Sequence, residues 1–194
     1  ATVPALCVYY PDTSEAESFA TAARGAKNAA EMSDVPHLFI GTENGVILCY
    51  NFDVVRSPNS IKAKPTDGAA MTEERSFVLS KRFKLEGHID GVNDFAILRQ
   101  RNTKLESVDA YDRFLLSCGE DKMIIMWDIK RHGTKLRVFA GHTGVVQCLC
   151  VSHAWENFDE EEVIISASWD HTIAVWNPRD GTQLKSIKTP GMYV

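Results

Sequence analysis

The sequence lacks the features that mark membrane, exported and strongly charged proteins. None of its apolar runs approaches the roughly 18 residues that a membrane-spanning helix requires. Residues 1–10 also lack the basic stretch followed by an apolar one that opens an export signal. The formal charge of −5 over 194 residues is too mild to indicate wholesale coating of nucleic acid. We therefore expect a globular protein of the cytoplasm or nucleus.

Paired cysteines and cofactor-binding loops are missing too. The cysteines are odd in number, occur within apolar stretches and lack the Cys-x-x-Cys spacing of zinc sites. No phosphate-binding Gly-rich loop and no pair of catalytic carboxylates is evident. We therefore expect no cofactor, no metal and five reduced core thiols of an intracellular protein, namely Cys7, Cys49, Cys118, Cys148 and Cys150.

What the sequence does contain is an internal repeat. The stretches Leu38–Asn51, Leu115–Asp128 and Ile164–Asn177 align with one another without a gap. In each of them two apolar runs surround a polar turn that contains Asp or Asn, residues that tolerate tight hairpin geometry. Each stretch therefore predicts a β-hairpin.

A further strand is predicted on either side of each hairpin. The segments Val3–Val8, Val92–Leu98 and Val146–Val151 precede the hairpins, and two similar segments follow the second and third hairpins at 133–142 and 181–190. The chain is thus predicted to consist of four-stranded units. Their approximate bounds are 1–83, 88–140 and 142–188, with 191–194 opening a further unit.

Insertions lengthen these units. The first unit contains Pro11–Pro36, with an Ala-rich stretch that predicts a short helix over 20–32, and Val54–Glu74, which is predicted to be loop. Arg99–Asp112 and the acidic run Asp159–Glu162 are predicted to lengthen the loops after the first strands of the second and third units. Such loops are where folds of this type place specific function.

Two of the units resemble the repeats of WD-repeat proteins. The dipeptides Gly87-His88 and Gly141-His142 precede the first strand, and Trp127-Asp128 and Trp176-Asn177 end the third. The resemblance implies an all-β WD-repeat β-propeller of which about three blades are present, belonging to a ring of about six to eight. Because three blades leave two apolar faces bare, we expect the missing blades to come from the rest of a longer chain or from a second chain.

The resemblance also implies a hydrogen-bonded tetrad of His, Ser, Asp and Trp within each of these two blades. In the first unit Ile40, Asn44 and Tyr50 stand at three of the four positions, which predicts a weak or absent network there. The predicted tetrads are structural, and they consist of His88, Ser117, Asp121 and Trp127 in the second unit and of His142, Ser166, Asp170 and Trp176 in the third.

Some of these residue types are also found in catalytic triads and in zinc sites. A Ser–His–Asp hydrolase triad is disfavoured because the set occurs twice at the same spacing and no Gly-x-Ser-x-Gly elbow accompanies either serine. A zinc site formed by His142, Cys148, Cys150 and His153 is disfavoured because the two cysteines alternate within a strand and are expected to pack between blades. We therefore predict that the protein is not an enzyme.

Partner-binding residues follow from the resemblance. WD-repeat proteins commonly bind partners on the face that carries the loops entering the first strand and the turns between the second and third strands. Pro4 and Glu43 would contribute from the first unit. Trp169 is the most informative candidate because aromatic residues dominate interface hot spots. The candidates in the other units are Gly91, Asn93, Glu120, Val145, Gln147 and Trp169.

The function predicted from these features is a non-catalytic scaffold that binds protein partners within a larger complex. The alternative is an RNA-associated protein, because Leu38–Leu48, the insertion after Asn51 and Leu85–His88 resemble the order in plant-type proteins that join Cys-Cys-Cys-His zinc fingers to WD repeats. No such finger is present in this sequence. Basic side chains available for phosphate contacts are Arg56, Lys62, Lys64, Lys81, Arg82 and Lys84.

Overall fold

The regular structure of the protein is built from β-strands. A computed structural model describes residues 5–9, 37–56, 75–101, 111–152 and 162–190. No helix occurs in these ranges, so none of the described segments provides a helix able to span a membrane. The strands are β1 (Leu6–Tyr9), β2 (His37–Gly41), β3 (Val46–Arg56), β4 (Arg75–Glu86), β5 (Val92–Arg101), β6 (Tyr111–Gly119), β7 (Met123–Asp128), β8 (Thr134–Ala140), β9 (Val146–Ser152), β10 (Val163–Ser168), β11 (Thr172–Trp176) and β12 (Gln183–Lys188).

The strands form three antiparallel sheets, each a simple meander of four consecutive strands. We name them sheet A (β1–β4), sheet B (β5–β8) and sheet C (β9–β12). In every sheet the strand nearest the start of the unit lies at one edge and the last strand at the other. The predicted all-β fold of four-stranded propeller blades is confirmed.

Several predicted loops begin as strand. The first three residues of the predicted loop 54–74 belong to β3 and pair with the start of β4, Val54 opposite Phe77. Likewise Arg99 lies opposite Arg113 in β5 and β6, so the predicted loop 99–112 is shorter at both ends. These hairpins are longer than predicted because backbone pairing continues wherever both strands remain extended, and the residues need not alternate in hydrophobicity to pair. The helix predicted over 20–32 lies outside the described residues.

The turns that join the second and third strands share one backbone conformation. Gly45, Lys122 and His171 all have positive φ, at 78°, 68° and 64°. Glycine adopts this region freely, whereas lysine and histidine incur strain there. In sheets B and C the preceding aspartate stabilises the turn: Met123 donates its N–H to Asp121 Oδ1 at 3.1 Å. The repeated polar turn of the sequence is therefore one conformation used three times.

Two apolar layers hold the sheets together. Between sheets A and B, Phe39 and Ile47 pack with Leu115 and Trp127, all of them buried. Between sheets B and C lies an equivalent layer. The residues buried in that second layer are Leu98, Leu116, Cys118, Ile124, Met126 and Phe139 from sheet B and Val146, Leu149, Ile164, Ala174 and Trp176 from sheet C. Each sheet is therefore stabilised mainly by apolar contact with its neighbours.

Polar contacts between the first strands of adjacent sheets fix how sheet B sits against sheet C. Asp94 on β5 accepts a hydrogen bond from the Leu149 N–H on β9 at 2.8 Å. Asn93 donates from Nδ2 to the carbonyl oxygen of Val146 at 3.0 Å. These directional bonds set the register of the two sheets, which apolar packing alone does not specify.

Gly45 provides a test of the shared turn. A Cβ at this position would lie 2.5 Å from the carbonyl oxygen of His88 and 2.9 Å from that of Asp90. We predict that Gly45→Ala lowers the free energy of unfolding of the full-length protein by about 1–3 kcal/mol, measured by urea denaturation. The matched control is Lys122→Gly at the equivalent turn position, which should leave stability unchanged or raise it. A destabilised Lys122→Gly variant beside an unaffected Gly45→Ala variant would contradict this account.

Candidate functional site

The tetrad of sheet B is a closed chain of side-chain hydrogen bonds. His88 lies in the loop between β4 and β5, and its Nδ1 is 2.7 Å from Asp121 Oδ2. Its Nε2 is 2.8 Å from Ser117 Oγ on β6, and Trp127 on β7 donates its Nε1–H to the same oxygen at 2.8 Å. The structure thus brings together the four residues expected from the sequence, and three of the four are buried as whole residues.

One protonation pattern satisfies every group in this chain. The indole of Trp127 can only donate, so Ser117 Oγ accepts that bond and donates its own O–H to His88 Nε2. The imidazole then carries its proton on Nδ1 and donates to the Asp121 carboxylate. Because both ring nitrogens are used, the buried imidazole incurs no unsatisfied polar group.

Sheet C repeats the arrangement with similar distances. His142 Nδ1 lies 2.8 Å from Asp170 Oδ2, and His142 Nε2 lies 2.7 Å from Ser166 Oγ. Trp176 donates from Nε1 to Ser166 Oγ at 2.8 Å. An additional hydroxyl, that of Thr172, donates to Asp170 Oδ1. The two networks therefore differ only at their solvent end.

The tetrad aspartates also hold the neighbouring loops. Asp121 Oδ2 accepts the backbone N–H of Ile89 at 3.2 Å, and Asp170 Oδ2 accepts that of Thr143 at 2.9 Å. In each case the loop residue immediately follows the tetrad histidine in the chain. One carboxylate oxygen thus binds both an imidazole and the loop that carries it.

These contacts keep both aspartates ionised. Burial by itself would raise the pKa of Asp121, but hydrogen bonds from His88 and from the backbone N–H groups of Met123 and Ile89 outweigh it and lower the pKa. For Asp170, burial is likewise outweighed, here by hydrogen bonds from Thr172, Thr143 and His142, so its pKa also lies below the ordinary value of 3.8. The folded state therefore favours the charged carboxylates.

Sheet A forms its corresponding turn differently. Asn44 is exposed, and its Oδ1 accepts a hydrogen bond from the Thr42 hydroxyl rather than from a histidine. Thr42 also spans the turn, because its Oγ1 accepts the N–H of Val46 at 3.1 Å. At the other end of the sheet, Arg82 donates to the buried His37 at Nε2, at 3.0 Å. A threonine-based turn stands in sheet A where the other sheets have a histidine-based one.

The tetrad serines are buried. Ser117 is fully buried and Ser166 is 1% exposed. Each hydroxyl is also engaged by an indole, which occupies the oxygen that a nucleophile would have to expose. The arrangement therefore offers no surface-accessible Ser–His pair for acyl transfer.

Two of the five cysteines predicted to be core thiols are exposed in the part of the chain that the structure describes. Cys49 and Cys118 are buried and Cys7 is half-buried, whereas Cys148 and Cys150 are exposed. Burial raises the pKa of Cys49 to about 11, so this thiol stays protonated. The two exposed cysteines lie on the face of sheet C that no described sheet covers. The blade against which they were expected to pack is therefore not among the described residues.

The structure describes three of the four residues of the disfavoured zinc alternative. His142 uses both ring nitrogens within its tetrad, and His153 lies outside the described residues. Across residues 5–9, 37–56, 75–101, 111–152 and 162–190, no group of three or more His, Cys, Asp and Glu side chains could hold a metal ion.

The loops and turns at one end of the sheets form a connected surface, which we call the loop face. It comprises the loops 87–91 and 141–145 and the turns 42–45, 119–122 and 168–171. Backbone hydrogen bonds join its parts, from Glu120 N to Gly91 O at 2.8 Å and from Trp169 N to Val145 O at 2.9 Å. The loop face is therefore an ordered platform.

The predicted partner-binding residues divide into exposed and internal groups. The exposed candidates are Glu120, Gln147 and Trp169, and Trp169 is 56% exposed. Gly91 is buried, and the side-chain amide of Asn93 donates the hydrogen bond to Val146 between sheets B and C. Val145 is half-buried. Pro4 lies outside the described residues, and Glu43 is exposed in the turn of sheet A.

Sequence reasoning missed the most exposed apolar residue of the loop face. Ile89 is 84% exposed in the loop before β5. Its signal was present in the repeat alignment, where the corresponding residue of the next unit is the polar Thr143. Neither Ile89 nor Trp169 is buried in the core. An apolar side chain exposed in a polar loop is therefore a candidate for partner contact at both positions.

The basic residues considered for RNA contact are largely engaged or undescribed. Arg82 is bound to His37 and also lies 3.4 Å from Asn51 Oδ1. Lys84 pairs with Glu86, and Lys81 is exposed. Lys62 and Lys64, and the side chain of Arg56, lie outside what the structure describes.

Comparison with known proteins identifies the repeat and several relatives. A family model described as "WD domain, G-beta repeat" matches residues 79–128 and 133–177. The peroxisomal targeting signal 2 receptor of Mus musculus is 32% identical over 77 residues, covering 40% of this chain and 23% of the receptor. The nuclear distribution protein nudF of Aspergillus niger is 27% identical over 110 residues, 57% of this chain and 22% of that protein.

A third relative covers more of the chain. The WD repeat-containing protein 26 homolog of Drosophila melanogaster is 28% identical over 138 residues, 66% of this chain and 20% of its own length. The chain thus spans less than a quarter of each of these relatives.

The matched repeats are offset from the sheets by one strand. The match at 79–128 begins in β4 of sheet A and ends with β7 of sheet B, and the match at 133–177 runs from β8 to β11. Each sequence repeat therefore joins two neighbouring sheets covalently. The tetrad histidine lies in the loop that leads from one sheet to the next. Its hydrogen bonds therefore connect that loop to the blade that follows.

The depressed pKa of Asp170 predicts a pH-dependent contribution to stability. Because the pKa is lower in the folded than in the unfolded state, this contribution is fully present above the ordinary carboxyl range and is lost as pH falls through the folded-state value. Asp170→Asn should lower the free energy of unfolding by about 1–3 kcal/mol at pH 7, and its difference from wild type should shrink at acidic pH.

Urea denaturation of the full-length protein at several pH values measures this effect. Asp90→Asn is the control, since Asp90 is exposed on the same face and bonds only its neighbour Gly91 among the contacts described. A difference between wild type and Asp170→Asn that stays constant with pH would contradict the assigned role of the carboxylate.

Proposed function

The chain belongs to the WD-repeat family through the two repeats at 79–128 and 133–177, and on that premise we propose that it is a non-catalytic scaffold that binds protein partners on its loop face. The exposed indole of Trp169 carries the proposal. An exposed tryptophan leaves a large apolar surface in water and adds nothing to the core. Tryptophan is also enriched at interface hot spots. We place the protein in the cytoplasm or nucleus, without a cofactor.

The backbone around Trp169 supports a recognition role. Its N–H is bonded to the Val145 carbonyl, and the next residue, Asp170, is fixed by the tetrad. A side chain projected from so constrained a turn loses little conformational freedom on binding, which favours affinity. Flexible exposed residues would not have this advantage.

The relatives are compatible with a binding function. One is named a receptor for a peroxisomal targeting signal, and another a nuclear distribution protein. The first is by its name a receptor for a signal, and 77 of its residues are similar in sequence to part of this chain. This supports a protein partner, and leaves its identity to experiment.

We further propose that sheet C is covered by another blade in a ring of about six to eight. The face of sheet B that carries Phe139 is buried against sheet C, with Phe139 only 1% exposed. At the equivalent position of sheet C, Ile187 is 44% exposed. The apolar residues on the uncovered face of sheet C would be buried by a further blade, as those of sheet B are buried by sheet C. The covering blade belongs to the rest of the protein or to a second chain.

RNA association has less support from the side chains described here. Of the candidates Lys81, Arg82 and Lys84 on β4, Arg82 and Lys84 are already engaged with other side chains. The association with Cys-Cys-Cys-His zinc fingers stays a prediction.

Trp169→Ala tests the loop-face proposal. We predict that the full-length variant folds normally and binds its native partners about 30-fold more weakly, the loss typical of an aromatic hot spot. Co-purification followed by titration with the recovered partner measures this. Leu184→Ala is a matched control, because Leu184 on β12 is 55% exposed and lies away from the loop face. Undiminished binding by Trp169→Ala would refute the proposal.

Thiol labelling tests the covering of sheet C. If a further blade packs on that face, Cys148 and Cys150 should resist maleimide labelling in the native full-length protein and react once it is unfolded in urea. Mass spectrometry of tryptic peptides would locate the labels. Rapid labelling of both cysteines in the native protein would show that the face is open and that no blade covers it.

A further inference from the structure

The loop face carries a second apolar side chain in an ordered position. Ile89 is 84% exposed, yet its N–H is bonded to Asp121 Oδ2, which also binds His88. The loop is therefore held by Asp121 at two consecutive residues, His88 and Ile89. Such an isoleucine presents its side chain to solvent from a fixed backbone, as Trp169 does.

The two repeats use the same backbone framework to present different side chains. In the loop before the first strand, sheet B has Ile89 where sheet C has Thr143, and both N–H groups bind a tetrad aspartate. In the turn, sheet B has Glu120 where sheet C has Trp169. Each blade thus offers one apolar and one polar side chain, in opposite arrangement.

The order of these groups across the loop face follows from the order of the sheets. Sheet B lies between sheets A and C, packing against both. Ile89 lies in the loop that connects sheet A to sheet B, Glu120 in the turn of sheet B and Trp169 in that of sheet C. The sequence of side chains along the surface is therefore apolar, acidic, apolar.

The charge of the loop face is predominantly negative. Within its described loops and turns the cationic side chain of Lys122 is outnumbered by carboxylates, and those of Asp121 and Asp170 are kept ionised by their hydrogen bonds. The side chain of Glu120 packs against Gly91, which keeps it near Ile89. The other carboxylates of this face are Glu43, Asp90 and Glu120. Phosphate groups would be repelled here, whereas lysine and arginine would be attracted.

We infer that the loop face recognises a protein segment in which a lysine or arginine stands between two apolar residues, the apolar side chains packing on Ile89 and Trp169 and the cation on Glu120. This inference rests on the proposed function and specifies the chemistry of the partner. The apolar anchors supply contact area, and the carboxylates select against acidic segments.

Synthetic peptides test the inference directly. The probe is a set of fluorescent twelve-residue peptides with a central apolar–x–Arg–x–apolar pattern. Companion sets replace the arginine by glutamate or the two apolar residues by serine. Fluorescence anisotropy with the full-length protein should show binding of the arginine set alone, weakening as salt is added. Equal binding of the glutamate set would overturn the inference.

Three variants connect the binding to named side chains. Ile89→Thr introduces the residue that the next repeat carries, and Glu120→Gln removes the charge while keeping the size. Each should weaken binding of the arginine peptides about tenfold, and Leu184→Ala should not. Since both altered side chains are exposed, unchanged circular dichroism spectra and urea midpoints are expected. Arginine peptides that bind both variants as tightly as wild type would refute the assigned surface.

The experiment separates this inference from the proposed function. If Trp169→Ala loses native partners but none of the arginine peptides binds, the loop face is a protein-binding surface and the inferred partner chemistry is wrong. If Trp169→Ala retains its native partners, the loop-face proposal and the inference both fail. Competition by a uridine oligonucleotide for the same surface would also overturn the inference, because it would indicate a phosphate ligand.

Discussion

The structure depends on the burial of an imidazole within each of the two blades that carry a tetrad. A buried histidine must satisfy both ring nitrogens, and this requirement brings the loop histidine against a serine, an aspartate and a tryptophan of one hairpin, which the second and third strands of the sheet form. In sheet B the His88 imidazole lies between Asp121 and Ser117 in this chain of bonds, at distances of 2.7 and 2.8 Å from them. The same arrangement fixes sheet C.

The tetrad extends its influence to the surface through the aspartate. Asp121 binds the imidazole and the following loop with one oxygen, and it binds the turn backbone with the other. Rigidity generated in the interior is thereby passed to the residues that a partner would meet. Ile89 and Trp169 are consequently displayed from an ordered backbone, which reduces the entropy lost on binding. In the proposed scaffold, the stability of the blade and the display of the binding residues depend on one network.

The repeat made much of the fold and of the tetrads predictable. Hairpins are local, and a His, a Ser, an Asp and a Trp recurring at fixed spacing indicate a shared network in both copies. Other features were outside the reach of the pattern. The extension of β3 and β5 into predicted loops depends on backbone pairing that any extended residue can continue. The internal role of Asn93 depends on the distance to Val146 in another sheet.

By itself the sequence determined the strand order, the turn positions and the residues of the tetrads, because these follow from local periodicity and from repetition. The tertiary structure alone decided which residues are exposed. Cys118 is buried because sheet C lies over its face of sheet B, whereas Cys148 lies on the face of sheet C that no described sheet covers. The difference arises because burial depends on whether a neighbouring sheet lies over a face, and that neighbour is not encoded within the strand. The exposure of Ile89 has the same origin, since the fold leaves the loop face uncovered.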